Sequence, residues 1–391
     1  MPLSFIVQSM PSLDIAMPLA LMLVVSVALI LNKRVEGKLM TTVEQKEFKI
    51  RDVILLVVFM VIVISVIAYT SLVAPEAVFQ NVFLIIFLGS YTMLLFTFSY
   101  VFSNLTKKRA QLISLGFGVI GAIAGLVSLL GSFSDGFTVY RAIAFFSLAG
   151  FCFGSVIFEQ KKAVSKARWY IAAQPPALFL LLMIFFNVIY GGAAQVWFPF
   201  LMDVFGFTFA ILIILYLSSL FSWKTVGLFA VLLTTMDIIL VIVTPVMLTT
   251  ANTFVNIGLP VLVFVPNVPL AFSATTGQIL MRGLGLGDFF FAGVLAVQAY
   301  NKFGKKTGFA SVVAMAVAFG IWEAFLPDII KGLIPIVGRN IGGFPGTLMI
   351  ITGWAPVIAV ALFIKRRNNP AQSTATSQPT ETPKEQNLPI Q

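Results

Sequence analysis

The chain is a succession of apolar runs, each about 20 residues long, separated by short breaks carrying lysine, arginine, proline or glycine. No other feature constrains its fold as strongly. As a helix rising 1.5 Å per residue, such a run matches the roughly 30 Å hydrocarbon core of a bilayer. That core offers no water to unpaired backbone groups, so what spans it must be a helix or a closed barrel. The alternating segments of about ten residues that build a membrane barrel are absent. With 59% hydrophobic and 10% charged residues and a mean hydropathy of +1.01, the chain carries too much apolar sequence for a globular domain with a single anchor. The sequence predicts an all-α, polytopic, multi-pass integral membrane protein.

Eleven spans are expected, at about 13–32, 52–73, 79–102, 110–133, 138–158, 169–190, 199–221, 225–249, 281–301, 308–327 and 344–364. The first has no basic segment ahead of it and is followed by Lys33-Arg34, which reads as a retained span rather than a cleaved signal. Eleven spans sort the basic residues sharply. Of the 25 Lys and Arg residues, 20 fall in loops on one side, from Lys33 through Lys224 and Lys302 to Arg367. Only Arg141, Arg282, Lys331 and Arg339 fall on the other, Lys384 lying in the tail. Basic loops stay cytoplasmic, so the N-terminus is expected outside and the C-terminus in the cytoplasm. The net charge of +10 follows from this loop bias and implies no nucleic-acid partner. Residues 367–391, rich in Pro, Thr, Ser and Gln, read as a disordered cytoplasmic tail.

Missing residue types exclude several chemistries. There is no histidine, which removes Ser-His and His-zinc hydrolysis and histidine proton relays. The one cysteine, Cys152, lies in an apolar run and forms neither an intrachain disulfide nor a zinc site. The 39 phenylalanines are packing and lipid-facing residues, and no cofactor or metal is implied.

Two acids sit where a bilayer makes them costly: Asp237 in LLTTMDIILVIVTP and Asp288 in GLGLGDFFFAGVLAV. A carboxylate at the centre of a span costs about 3 kcal/mol on insertion scales, which makes such residues functional candidates. Asp237 is 13 residues from Lys224 and Asp288 is 14 from Lys302, so two antiparallel spans carry acids at one depth, roughly 20 Å from the same face. Two carboxyls in contact cannot both ionise, and a pair sharing one proton is the machinery of aspartyl proteolysis. Gly283, Gly285 and Gly287 alternate ahead of Asp288. They permit close approach of a substrate backbone, an extended start to the span, or tight helix packing. The loop 250–280 is long, apolar and punctuated by Pro and Gly, and contains the β-prone run LPVLVFVP from Leu259 to Pro266.

These motifs resemble the GxGD-type intramembrane aspartyl proteases, the group of presenilin and signal peptide peptidase, and in particular its prokaryotic members. Gly285-Leu286-Gly287-Asp288-Phe289 resembles the second catalytic helix. Asp237 with Val241, Thr244, Pro245 and Met247 resembles the first, and LPVLVFVP the segment before the second motif; the likeness covers 225–364. It implies catalytic roles for Asp237 and Asp288, and support or substrate contact from Met236, Gly285, Leu286, Gly287, Pro345 and Gly346. Three departures stand out. Met236 occupies the usual place of Tyr, and Pro345-Gly346-Thr347 that of a Pro-Ala-Leu tripeptide, while the literal Pro176-Ala177-Leu178 is read as a chance match. The family core has nine spans, expected here over 79–366, with two extra spans within 1–110. The orientation matches signal peptide peptidase, which implies transmembrane helices or remnant signal peptides as substrates, in a prokaryotic cell membrane. Glu323 and Asp203, near span ends, read as structural acids. The competing readings are a proton- or ion-coupled secondary transporter using the same acids, and an inactive helix-binding scaffold of the same fold.

Overall fold

A computed structural model describes residues 14–42, 47–73, 77–102, 107–130, 137–161, 172–183, 200–244, 260–272, 279–338 and 343–368. Within them the chain folds into eleven α-helices and one two-stranded antiparallel hairpin. In chain order these are α1 (Ala16–Thr42), α2 (Ile50–Val73), α3 (Ala77–Phe102), α4 (Lys107–Leu130), α5 (Phe137–Lys161), α6 (Gln174–Met183), α7 (Phe200–Ser218) and α8 (Trp223–Ile238). Strands β1 (Leu262–Pro266) and β2 (Met281–Gly285) follow, then α9 (Leu286–Phe303), α10 (Lys305–Val337) and α11 (Gly346–Asn368). Among the described residues five helices are long and apolar enough to cross a membrane: Ala16–Val35, Ile50–Tyr69, Trp223–Val243, Lys305–Val337 and Gly346–Asn368. The protein is a mostly helical chain with the make-up of a multi-pass membrane protein.

Helix α9 is the axis of the bundle. It packs against α1, α7, α8, α10 and α11, and every residue from Phe289 to Ala299 is buried. A helix apolar on all sides has no other place in a bundle than its interior. Small residues let its neighbours close in. A side chain at Gly293 would collide with Ile214 of α7, and one at Gly308 of α10 would come within 2.7 Å of Tyr300 Cβ. The one polar residue in that stretch, Gln298, is satisfied by donating to the carbonyls of Ser218 (3.0 Å) and Phe221 (2.7 Å). Gly304 alone separates α9 from α10, at φ 92°, a backbone angle that L side chains rarely adopt.

Packing does not divide the chain at residue 79. Helix α1 lies in the centre, against α7, α9 and α10, and α2 packs on α8, whereas α4 packs chiefly on α5. The literal Pro176-Ala177-Leu178 lies on α6, which packs on α3 and α5.

Four sequence expectations are refined. The mostly helical fold carries one short hairpin, because the β-prone run after Leu259 pairs with 281–285; the register joins Leu262 to Gly285 and Pro266 to Met281. The span expected at 281–301 therefore begins as a strand and turns helical only at Leu286, since three alternating glycines weaken a helix and suit extended backbone. The span expected at 225–249 leaves α-geometry after Ile238, runs as a π-turn over Ile239–Val243 and is extended at Thr244. The span expected at 308–327 runs on to Val337 through Pro327 and Pro335. A proline removes one helical hydrogen bond without ending a helix that its neighbours support. Pro245, Met247, Leu259, Arg339 and most of the tail (369–391) lie outside the described residues.

Candidate functional site

Three helix ends converge to make the site. Helix α8 starts with a capping box, in which Ser222 accepts from the Thr225 N–H (3.4 Å) and Thr225 Oγ1 accepts from the Ser222 N–H (2.9 Å). Asp237 is the second-last α-helical residue, immediately ahead of the π-turn. Such turns widen the backbone locally and recur at functional sites. The Asp237 side chain is buried, with 6% of the residue exposed.

Asp288 lies in the first turn of α9, three residues after the extended Gly285 that begins it. Its carboxyl folds back to accept the Gly285 N–H, half of a capping box, which fixes it against the strand-to-helix junction. Asp288 is half-buried and Gly287 and Gly283 are exposed, so this flank of the site is open. The Asp237 and Asp288 carboxyls are close enough to act on each other electrostatically. The two acids singled out in the sequence thus fall within one site.

The third end is the start of α11. Thr347 donates twice to Asp237 Oδ2, from its hydroxyl (2.7 Å) and its backbone N–H (3.2 Å). That N–H is one of the four a helix start leaves without a partner, and the positive end of the helix dipole faces the acid. Gly346 beside it touches the other acid: a Cβ there would lie 2.5 Å from Asp288 Oδ1. Neighbouring residues of one helix start therefore contact both carboxyls.

Of the residues singled out in the sequence, the structure brings together Asp237, Asp288, Gly285 and Gly346. Pro345 is buried directly ahead of Gly346. Gly287 lies in the open flank, where no atom outside its chain neighbours comes within 4 Å of a built Cβ. Leu286 and Met236 turn away into the hydrophobic core, Leu286 near Gly206 of α7. Glu323 and Asp203 make structural contacts elsewhere, an ion pair with Arg282 and a bond from the Phe264 N–H. Sequence reasoning passed over Thr347 as a hydrogen-bond donor to Asp237, and missed Asp14 altogether. A hydroxyl directly after the glycine of the α11 start was the available signal. Among the described residues no group of three or more His, Cys, Asp or Glu side chains gathers that could hold a metal ion.

Comparison with family models, with curated proteins and with solved structures yields no match for this chain.

Proposed function

We propose that the protein is an intramembrane aspartyl protease that hydrolyses peptide bonds in transmembrane helices or remnant signal peptides. The observation that carries the reading is that Asp237 and Asp288 lie against neighbouring residues of the α11 start, Thr347 and Gly346, with exposed Gly283 and Gly287 on the strand-to-helix side. In this reading the carboxyls share a proton. The ionised one takes a proton from a water as it attacks the scissile carbonyl. The protonated one polarises that carbonyl and then protonates the leaving amine. Thr347, donating twice to Asp237 Oδ2, steadies one acid of the pair, and the Gly285 N–H steadies the other.

A helical substrate hides its carbonyls in hydrogen bonds and must be opened before it can be cut. The hairpin supplies an edge for the opened segment. The Leu286 N–H donates to the Val261 carbonyl and the Asn267 N–H to that of Leu280, so the bonded pairs in the register fall on Val263–Leu284 and Val265–Arg282. Phe264 instead points its N–H outward to Asp203 Oδ1 (2.7 Å), which occupies the outer edge of β1. By the same alternation Met281 and Gly283 of β2 turn their backbone groups away from β1, along a line leading to Asp288. We assign the substrate strand to that edge.

The same proposal keeps the eleven apolar runs of the sequence as spans, with the N-terminus outside and the C-terminus cytoplasmic. It places the two helices beyond a nine-span core at the α4–α5 pair, because α1 and α2 pack with the site helices. Purified protein in detergent or bilayer, offered a panel of helical reporters, is expected to yield product that disappears with Asp237→Ala or Asp288→Ala. A folded wild type that cuts nothing in the panel would turn the assignment toward ion-coupled transport or helix binding.

A further inference from the structure

Two buried acids left unused by the proposed chemistry, Asp14 and Glu323, converge on one arginine. Arg282 lies on β2, six residues ahead of Asp288. Its Nε is 3.3 Å from Asp14 Oδ2 and its Nη1 is 2.7 Å from Glu323 Oε1. Asp14 and Glu323 are 3% and 7% exposed. Three segments far apart in sequence thus meet: the residue pair ahead of α1, the strand β2, and the middle of α10. Asp14 also reaches the chain beyond β1, since its Oδ1 accepts the N–H of Val268 (2.9 Å) and of Ala16 (3.0 Å). The Ile15 N–H donates to the Val268 carbonyl (3.3 Å) beside it. Helices α1 and α10 are already pressed together here, with Gly320 leaving room for Pro18.

Stability does not explain this arrangement. Two buried carboxylates around one guanidinium are costly to desolvate, and apolar side chains of similar volume serve a bundle as well or better. Among the described residues neither Glu323 Oε2 nor Asp14 Oδ2, both buried, has a hydrogen-bond partner. What the cluster adds is direction. A planar guanidinium presents Nε and Nη1 in a rigid fork, here with Asp14 Oδ2 at ion-pair distance from one and Glu323 Oε1 closer to the other, as a lysine ammonium does not. A slip of β2 by one residue would turn its side chains to the opposite face and move the chain about 3.3 Å. Only Leu286 and Gly287 separate Gly285, the strand's last paired residue, from Asp288, so that displacement would reach the carboxyl pair.

We propose that Asp14, Arg282 and Glu323 form a latch that fixes the register of β2, making Arg282 a positioning residue for Asp288. The latch stands on its own geometry, and only its consequence for catalysis rests on the protease reading. The test uses the full chain in bilayer nanodiscs with Arg282→Met, which keeps the length of the stem, and Glu323→Gln, which leaves Arg282 and Asp14 as a one-to-one pair. Amide exchange is expected to quicken about tenfold over 262–266 and 281–285, with α11 and the body of α9 unchanged. On a reporter, kcat is expected to fall about tenfold with KM within about twofold, as displacement of a reacting group requires. Glu323→Gln is expected to move both readouts the same way by less, and it decides alone should Arg282→Met not fold. Exchange unchanged in the hairpin, or faster throughout the bundle, would overturn the latch. A folded wild type that cleaves no reporter would overturn the protease reading instead, leaving the exchange result to decide the latch.

Discussion

The molecule brings carboxyls together in two places and treats them in opposite ways. At Arg282, two buried acids are bridged by a cation, with backbone N–H groups on the remaining oxygen of Asp14. At the ends of α8, α9 and α11, two acids share one site with no cation beside them among the described residues; their partners there are the Thr347 hydroxyl and two backbone N–H groups. A carboxyl pair neutralised by arginine is a tie between segments. A pair neutralised only by a proton and by neutral donors keeps that proton transferable. The surroundings agree with the division. The arginine cluster joins the hairpin to α1 and α10, whereas the pair lacking a cation has exposed Gly287 beside it.

The sharpest way to break this contrast is to make each pair behave like the other. Asp237→Asn or Asp288→Asn should lower cleavage by about a thousandfold or more while leaving melting temperature unchanged or raised, because a buried acid is lost from a site that stability does not need. Asp14→Leu should do the reverse in kind. It leaves the Ala16 and Val268 N–H groups unpartnered and one contact of Arg282 broken, so it should cost about 3–5 kcal/mol in reversible unfolding. A stable, inactive Asp14→Leu together with an unstable, active Asp288→Asn would erase the distinction.

Two smaller changes sharpen it within the site. Gly346→Ala drives a methyl into the Asp288 carboxyl and should reduce kcat steeply, with a stability cost of about 1–3 kcal/mol read from the melting curve. Thr347→Val removes one of two donors to Asp237 and should slow turnover about tenfold, with Thr347→Ser restoring most of the rate in a parallel assay. Furthest from both clusters, Gln298→Leu orphans the Ser218 and Phe221 carbonyls. It should lower stability by about 1–3 kcal/mol with the activity per folded molecule unchanged.

Sequence by itself determined the helical, membrane-type character of the chain, because apolar run length alone sets what can cross a bilayer. It also singled out Asp237 and Asp288, since an acid in such a run is conspicuous whatever surrounds it. The alternating glycines at 283, 285 and 287 left close approach, an extended start and helix packing all open, and the run ending at Pro266 pointed to a strand, though not to its pairing with 281–285. Tertiary structure alone decided the rest. Thr347 is an ordinary residue of a helix start until the fold carries that start 110 positions back along the chain to Asp237. Asp14 looks like a solvated terminus and Arg282 like a loop cation until α1, β2 and α10 close around them. Hydrophobic periodicity reports how one segment meets its solvent. Which polar groups meet each other depends on how several segments stack, and that information is carried by the packed interior of α9 rather than by any one stretch of sequence.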